Sequence, residues 1–177
     1  MLPVAILAGG LATRLRPITE KIPKALIEVA GKPFIFHQLQ YLQKEGIRKV
    51  VLCLGYLCEM IQEEVGDGSK FDLEVTYSYD GDFLLGTGGS IKKALPLLDE
   101  NFYVLYGDSF LPIHFGPIEE SFLKSKKPAL MTILLNKNKW DKSNVVCKDG
   151  LILEYNKKDF KSAMKFIDYG LGILSKS

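Results

Sequence analysis

Three short, nearly unbroken apolar runs, each ended by a glycine, limit most strongly what this chain can fold into. They cover residues 4–8, 49–54 and 102–106, and they are followed by Gly9, Gly55 and Gly107. Short continuous apolar runs are typical of strands that are buried on both faces, as in a parallel sheet. We therefore expect three neighbouring parallel strands at the centre of the fold.

Helical patterns separate these runs. Residues 35–42 follow Pro33 with apolar side chains at helical spacing, and Gly46 is a suitable stop. A second helical stripe covers residues 91–95 and ends before Pro96. Strands that alternate with helices of this length predict an α/β domain with a mainly parallel sheet.

Residues 71–79 alternate like an exposed or half-buried strand. From Ala129 the pattern changes, and four further strands are predicted over residues 129–135, 145–148, 151–155 and 166–174. The dipeptide Asp149-Gly150 is a typical hairpin turn. We expect a β-rich extension of the sheet here, with a hairpin at that turn.

Composition excludes several classes of protein. Of 177 residues 25% are charged, and the net charge is only +2, which gives no electrostatic case for a nucleic-acid or membrane partner. The longest apolar candidate, residues 50–58, is too short for a membrane span, which needs about 20 residues. Cys53, Cys58 and Cys147 match no zinc spacing. We expect reduced thiols in a cytoplasmic protein that acts on small molecules.

The loop after the first run has the features of a phosphate-binding site. Gly9 and Gly10 allow a sharp turn at the carboxyl end of a strand, the edge at which open α/β sheets bind ligands. Residues 10–33 carry a charge of +3, from Arg14, Arg16, Lys21, Lys24 and Lys32 against Glu20 and Glu28. A solvated basic loop would have the same charge, but the glycine pair and its position favour phosphate.

Two common nucleotide fingerprints are absent from this loop. It contains neither GxxxxGK[ST] nor GxGxxG. The acidic residue at the spacing expected for a ribose contact is Glu28, which lies inside an apparent strand over residues 26–29. A nicotinamide-dependent oxidoreductase is therefore weakly supported.

Two later segments place polar groups where a ligand would bind. Residues 86–90, with the sequence GTGGS, open a predicted helix whose free N–H groups can contact an anion or a base edge. Gly107-Asp108-Ser109 follows a buried strand, and Asp108 offers a hard oxygen ligand that suits Mg²⁺. Taken alone, each segment could equally be a capped turn. Lys157 and Lys158, followed by Asp168, form a weaker signal of the same kind.

Together these segments resemble the sugar-1-phosphate nucleotidyltransferase family. The N-terminal signature LAGGxGTRLxPLT is matched by residues 7–19, and its following PK is matched by Pro23-Lys24. GTGG and GDS occur in the family's order. One departure is Ala12, where the family usually has glycine, and we expect it to have a mild effect.

The resemblance implies a fold and a set of site residues. The fold would be a three-layer, Rossmann-like α/β structure with a mainly parallel mixed sheet and helices on both faces. The implied catalytic residues are Arg14, Lys24 and Asp108, with Asp108 also holding Mg²⁺. The implied nucleotide-binding residues are Leu7, Ala8, Gly9, Gly10, Thr13, Arg14, Gly86, Thr87 and Gly88. The implied sugar-phosphate residues are Lys157 or Lys158, Asp168 and Gly170.

The implied reaction needs no side-chain nucleophile. A sugar 1-phosphate oxygen attacks the α-phosphate of a nucleoside triphosphate, and pyrophosphate leaves. GTGG and the segment around Asp168 resemble the branch that uses GTP with mannose- or heptose-type phosphates. Two alternatives stay open: a non-catalytic nucleotide-binding homologue, and transfer to a non-sugar phosphate such as choline phosphate.

The length of the chain bears on this interpretation. Residues 1–177 are expected to form a single nucleotidyltransferase domain, cut short at the C-terminus relative to the family. The family's second metal-binding aspartate would then be missing. A homo-oligomer is compatible with the sequence.

Overall fold

The computed structural model describes residues 1–176 and contains an eight-stranded sheet with a small two-stranded sheet beside it. The strands are β1 Val4–Leu7, β2 Glu28–Val29, β3 Lys32–Pro33, β4 Lys49–Leu54, β5 Glu74–Tyr79, β6 Asn101–Tyr106, β7 Ala129–Leu135, β8 Val145–Lys148, β9 Leu151–Tyr155 and β10 Phe166–Ser175. The helices are α1 Phe34–Lys44, α2 Cys58–Val65, α3 Gly86–Ala94 and α4 Phe115–Ser125. The large sheet has the order β5-β4-β1-β6-β10-β8-β9, and β7 also pairs with β10.

The first half of the sheet is parallel. Strands β5, β4, β1 and β6 pair in parallel, and Leu7 at the end of β1 lies opposite both Cys53 and Tyr106. The carboxyl ends of three strands therefore meet at one edge. This confirms the three central strands predicted from the apolar runs.

Alternation along β1 divides the core into two layers. Val4 and Ile6 are fully buried on one face, in a cluster that includes Leu39 of α1. Ala5 points to the opposite face and packs in a second cluster with Ala94 of α3. The predicted α/β fold, a mixed sheet with helices on both faces, is confirmed.

The second half of the sheet is antiparallel. Strand β10 pairs antiparallel with β6, β7 and β8, and β8 forms a hairpin with β9. Asp149 and Gly150 both have positive φ, 51° and 76°, as a type I′ turn requires. The predicted hairpin and β-rich extension are confirmed. The β10–β7 register shifts between Asp168 and Gly172, where Gly170 has φ 89°.

Some predicted boundaries were wrong. The apparent strand over residues 26–29 begins as a 3₁₀ turn, Lys24–Leu26, and only Glu28–Val29 is extended. The strand predicted from residue 71 starts at Glu74, because a 3₁₀ turn and a left-handed Asp72 precede it. The helix predicted over residues 91–95 ends at Ala94 and passes into a 3₁₀ turn that contains Pro96.

Two further observations complete the description. Cys53, Cys58 and Cys147 are free thiols, and Cys53 is buried. No helix within residues 1–176 has the length and apolar character to cross a membrane.

Candidate active site

A cavity of about 330 Å³ opens where β1, β4 and β6 end. It is lined by Leu7, Ala8, Gly9, Gly10, Ala12, Arg14, Lys24, Ala25, Cys53, Asp80, Leu84, Gly86, Thr87, Ser90, Tyr106, Gly107 and Asp108. Seven of the nine residues predicted to bind nucleotide are in this set, while Thr13 and Gly88 lie outside the lining. The three predicted catalytic residues all line the same cavity. The sheet edge thus brings together segments that are far apart in sequence.

The glycine pair serves two different purposes in the loop. A Cβ on Gly9 would lie 2.8 Å from the backbone nitrogen of Gly55, so the close approach of the loops after β1 and β4 depends on its absence. A Cβ on Gly10 would meet nothing within 4 Å. Gly9 is therefore needed for packing, whereas the packing around Gly10 leaves room for a side chain.

Ala12 occupies a left-handed backbone conformation. Its φ and ψ are 48° and 45°, at the start of the 3₁₀ turn Thr13–Leu15. L-residues with a Cβ are disfavoured there, which is why glycine suits this position. The buried Thr19 hydroxyl donates a hydrogen bond to the Ala12 carbonyl oxygen at 3.0 Å and holds the loop in this conformation.

Lys24 and Asp108 form an ion pair at the mouth of the cavity. Lys24 Nζ lies 2.8 Å from Asp108 Oδ2, and the side chains are 36% and 46% exposed. Arg14 lines the cavity from the 3₁₀ turn Thr13–Leu15. Two cations, Arg14 and Lys24, therefore line a space bordered by the glycine-rich loop together with the Asp108 carboxylate, an arrangement that suits a polyphosphate.

Asp80 was not predicted as a site residue. It lies beyond the end of β5, is only 8% exposed, and lines the cavity. Its Oδ1 accepts a hydrogen bond from Ser90 Oγ at 2.6 Å, and its Oδ2 accepts one from the Leu85 N–H at 3.0 Å. Asp80 thereby holds the first turn of α3 against the sheet edge. A lone aspartate in a Tyr-Asp-Gly turn offers no local pattern that would reveal this role.

A second polar cluster lies on the antiparallel side. Lys157 Nζ is 3.2 Å from Asp168 Oδ2, and the Tyr155 hydroxyl donates to the same oxygen at 2.8 Å. The Gly170 N–H donates to Asp168 Oδ1 at 3.0 Å. Lys157 Nζ also lies 5.0 Å from the centroid of the Tyr106 ring. The cluster presents a cation beside two aromatic rings.

Two groups in this cluster have shifted pKa values. Burial alone would lower the pKa of Lys157, but the hydrogen bond with Tyr155 and the nearby Tyr106 and Asp168 raise it above its usual value. Burial raises the pKa of Tyr155; the hydrogen bond with Lys157 lowers it, and Asp168 and Tyr106 raise it, so that the net shift is upward. At neutral pH the lysine is a cation and the tyrosine hydroxyl is protonated.

The second cluster borders a larger space next to the first cavity. This space, about 720 Å³, is lined in part by Tyr155, Asp168 and Gly170, and it shares Thr87 and Tyr106 with the first cavity. Lys158 is exposed, and its N–H donates to Asn156 Oδ1. The geometry therefore distinguishes the two lysines: Lys157 joins the cluster with Asp168, and Lys158 does not.

The donor set around Asp108 suits a magnesium ion that shares its ligands with a substrate. Among residues 1–176, no three His, Cys, Asp or Glu side chains cluster as metal ligands. Mg²⁺ commonly uses one or two carboxylates and takes its remaining ligands from water and substrate phosphates. The half-exposed Asp108 carboxylate beside the glycine-rich loop fits that pattern.

Comparison with known proteins assigns the family. A family model described as nucleotidyl transferase matches residues 4–147. The chain belongs to the nucleotidyl transferase family. That match includes the glycine-rich loop, Lys24, the first turn of α3 and Asp108, which are the parts of this nucleotidyl transferase that line the first cavity.

The chain is similar to several characterised members. It is 35% identical over 173 residues to the D-glycero-alpha-D-manno-heptose 1-phosphate guanylyltransferase of Campylobacter jejuni, covering 97% of this chain and 75% of the relative. It is 30% identical over 158 residues to the enzyme of that name from Aneurinibacillus thermoaerophilus, covering 89% and 68%. The crystal structure of HddC from Yersinia pseudotuberculosis complexed with GMP-PN has a TM-score of 0.83 and 28% identity, over 99% of this chain and 77% of the other.

Proposed function

We propose that this protein transfers a nucleoside monophosphate from a nucleoside triphosphate to a sugar 1-phosphate, releasing an NDP-sugar and pyrophosphate. The observation that carries the proposal is the convergence of Arg14, Lys24 and Asp108 on one cavity beside a glycine-rich loop. Family membership and the guanylyltransferase relatives support it.

We propose GTP as the donor and a mannose- or heptose-type 1-phosphate as the acceptor. Both relatives named above are heptose 1-phosphate guanylyltransferases. The Asp80 carboxylate in the first cavity adds physical support, because guanine presents N–H donors and a carboxylate only accepts. Each Asp80 oxygen accepts one hydrogen bond from the protein and has a lone pair left for a base.

The reaction is an in-line displacement at the α-phosphorus. An oxygen of the sugar phosphate forms a bond to that phosphorus, and the bond between the α-phosphorus and the oxygen bridging to the β-phosphate breaks. The bonding electron pair leaves with pyrophosphate, so no protein nucleophile is consumed. Catalysis of such a transfer depends on alignment and on neutralising charge.

Each cation has a distinct position for this task. Arg14, in the loop after β1, would bind the triphosphate and stabilise the departing pyrophosphate. Lys24 would leave its ion pair with Asp108 and bind between the α-phosphate and the incoming sugar phosphate. Lys157 and Asp168 would hold the acceptor, which we place in the second space.

We propose Mg²⁺ as the cofactor and Asp108 as its protein ligand. When bound, the ion would neutralise and polarise the α-phosphate. Asp108 supplies a fixed oxygen for this purpose at the end of a buried strand. Because Asp108 lies beside Lys24, one site would bind both the metal ion and the phosphate.

The decisive experiment is pyrophosphate release with a panel of nucleoside triphosphates and phosphorylated acceptors. Turnover with GTP and a manno-configured sugar 1-phosphate is expected, and omission of Mg²⁺ should abolish it. Turnover with choline phosphate as the acceptor, without turnover on any sugar 1-phosphate, would favour the non-sugar alternative. Nucleotide binding by calorimetry without turnover on any pair would favour the non-catalytic alternative and contradict the proposal.

A further inference from the structure

Gln38 connects helix α1 to the loop that carries Asp108. Its Nε2 donates hydrogen bonds to the carbonyl oxygens of Tyr106, at 3.0 Å, and Ser109, at 2.7 Å. These two carbonyls flank Gly107 and Asp108. The Ser109 N–H also donates to the Tyr106 carbonyl at 3.0 Å, so residues 106–109 form a tight turn. The side-chain amide of Gln38 binds the carbonyl groups at both ends of this turn.

The burial of Gln38 makes these contacts unusual. The residue is 2% exposed, and its Oε1 is a buried side-chain atom without a hydrogen-bond partner in the part of the chain that the structure describes. The amide orientation follows from its partners, because both carbonyl oxygens can only accept. A buried acceptor without a partner costs free energy, and an apolar side chain would avoid that cost. Packing of the core alone would therefore favour an apolar residue at position 38. The two hydrogen bonds that Gln38 donates offset the free-energy cost of its unpartnered Oε1.

The loop is held from its other side as well. A Cβ on Gly170 of β10 would lie 2.6 Å from Ser109 Oγ, so β10 packs closely against the residue after Asp108. Between α1 and β10 the turn has little freedom to move. The two Gln38 bonds are the hydrogen bonds that tie this turn to α1.

We propose that Gln38 is a positioning residue: through the Tyr106 and Ser109 carbonyls it sets where the Asp108 carboxylate stands relative to Lys24 and the substrate phosphates. The inference rests on the proposed function for its catalytic consequence. Partners that orient a metal ligand typically affect metal affinity or activity about 10–100-fold when removed. Gln38 would act through the backbone rather than by touching the substrate.

The test compares Gln38→Met with Gln40→Met. Methionine matches the length of glutamine but cannot donate, and Gln40 is an exposed residue of the same helix. For Gln38→Met we expect kcat to fall at least about tenfold and the Mg²⁺ concentration at half-maximal rate to rise about tenfold, with KM for GTP little changed. Gln40→Met should match the wild type in all three quantities.

A second readout does not need turnover. Mn²⁺ binding by the protein in the presence of GTP without acceptor, measured as the loss of the free-ion EPR signal beyond that in a protein-free GTP control, should weaken about tenfold in Gln38→Met. Gln38→Leu, which cannot donate and leaves no polar atom without a partner at this buried position, is the second variant if Gln38→Met fails to fold. Equal Mn²⁺ affinity in wild type and a folded Gln38 variant would overturn the inference. Wild-type protein that binds Mn²⁺ with GTP but releases no pyrophosphate would instead contradict the proposed function.

Discussion

Lys24 Nζ lies 2.8 Å from Asp108 Oδ2, although the two residues are 84 positions apart in the chain. Both side chains are partly exposed, and an ion pair of this kind contributes only about 0–1 kcal/mol to stability. The contribution of this ion pair to the stability of the fold therefore does not explain why the two side chains lie together. A substrate phosphate that pairs with Lys24 would leave the Asp108 carboxylate without its partner and able to bind a cation. This exchange suits a site that must bind a phosphate and a cation together.

Replacement of Lys24 should separate activity from stability. Lys24→Ala should lower turnover by a factor of at least about 10², because the cation between the two reacting phosphates is lost. The free energy of unfolding should change by less than about 1 kcal/mol. Pyrophosphate release and urea unfolding measure the two quantities, with the exposed Lys32→Ala as the control. An unchanged rate would remove Lys24 from the mechanism.

Substitution by alanine should affect stability at Gly9 and nucleotide binding at Gly10, the two glycines of the loop after β1. Gly9→Ala should destabilise the fold by about 1–3 kcal/mol, because its methyl group meets the Gly55 backbone. Gly10→Ala should unfold near the wild-type midpoint but raise KM for the nucleotide, because its methyl group adds to the cavity lining. Denaturant unfolding and initial rates on both variants provide the comparison. Equal destabilisation by both changes would contradict the assignment of Gly9 to packing.

Ala12→Gly should stabilise the protein. Glycine relieves the left-handed conformation at φ 48°, and after its larger entropy loss on folding we expect a gain of about 0.5–1 kcal/mol. Ala163→Gly, at an exposed position outside the positive-φ residues, should give no gain. The urea concentration at half-unfolding, measured for both variants and for the wild type, tests this prediction. A less stable Ala12→Gly protein would mean that the strain at Ala12 is already relieved by its neighbours.

The two adjacent lysines should contribute unequally to acceptor binding. Lys157→Met removes the cation paired with Asp168, so KM for the sugar 1-phosphate should rise about tenfold or more, with KM for GTP little changed. Lys158→Met should leave both KM values near the wild-type values. Steady-state kinetics with each substrate varied in turn measures this difference. A larger effect at Lys158 would reverse the assignment.

Stability should fall as the pH rises above 9. Burial, together with the nearby charge of Asp80, raises the pKa of Cys53 from 9.0 to about 12. Between these values the unfolded thiol loses its proton while the folded thiol keeps it, so the contribution is complete below pH 9 and is lost towards pH 12. The slope from this group is at most about 1.4 kcal/mol per pH unit.

Urea unfolding at pH 8, 9 and 10 tests this dependence, and comparison with Cys53→Ala removes the contribution of the tyrosines, which also begin to ionise in the unfolded chain near pH 10. Cys53→Ala should show a shallower decline between pH 9 and 10 than the wild type, whatever its absolute stability. Identical slopes would show that Cys53 does not contribute.

Local patterns predicted the central strands because β1, β4 and β6 are buried on both faces and end at glycine. The same reasoning missed α2, since the apolar run that forms β4 continues across Gly55 to Cys58 without a polar break. It also missed α4, whose first turn contains Gly116 and Pro117, residues that usually indicate a loop. Leu26 looked like the start of a strand because a short buried run has no period that distinguishes it from a 3₁₀ turn.

The site divides in a similar way. Arg14, Lys24 and Asp108 could be found because each lies in a short motif. Gln38 could not, because its partner carbonyls lie 68 and 71 positions away and a single glutamine on a helix has no pattern of its own. The choice between Lys157 and Lys158 likewise depended on the path of the chain after β9, which determines which side chain turns towards Asp168.

Tyr106 stands at the end of β6, where the sheet changes from parallel to antiparallel, and it borders both spaces. Apart from Thr87 and Tyr106, donor and acceptor would consequently be recognised by different stretches of sequence. Under the proposed function, mutations in the β8–β9 hairpin would then alter acceptor preference while the triphosphate chemistry is preserved. The product of the reaction would accordingly be set by the later strands of the chain.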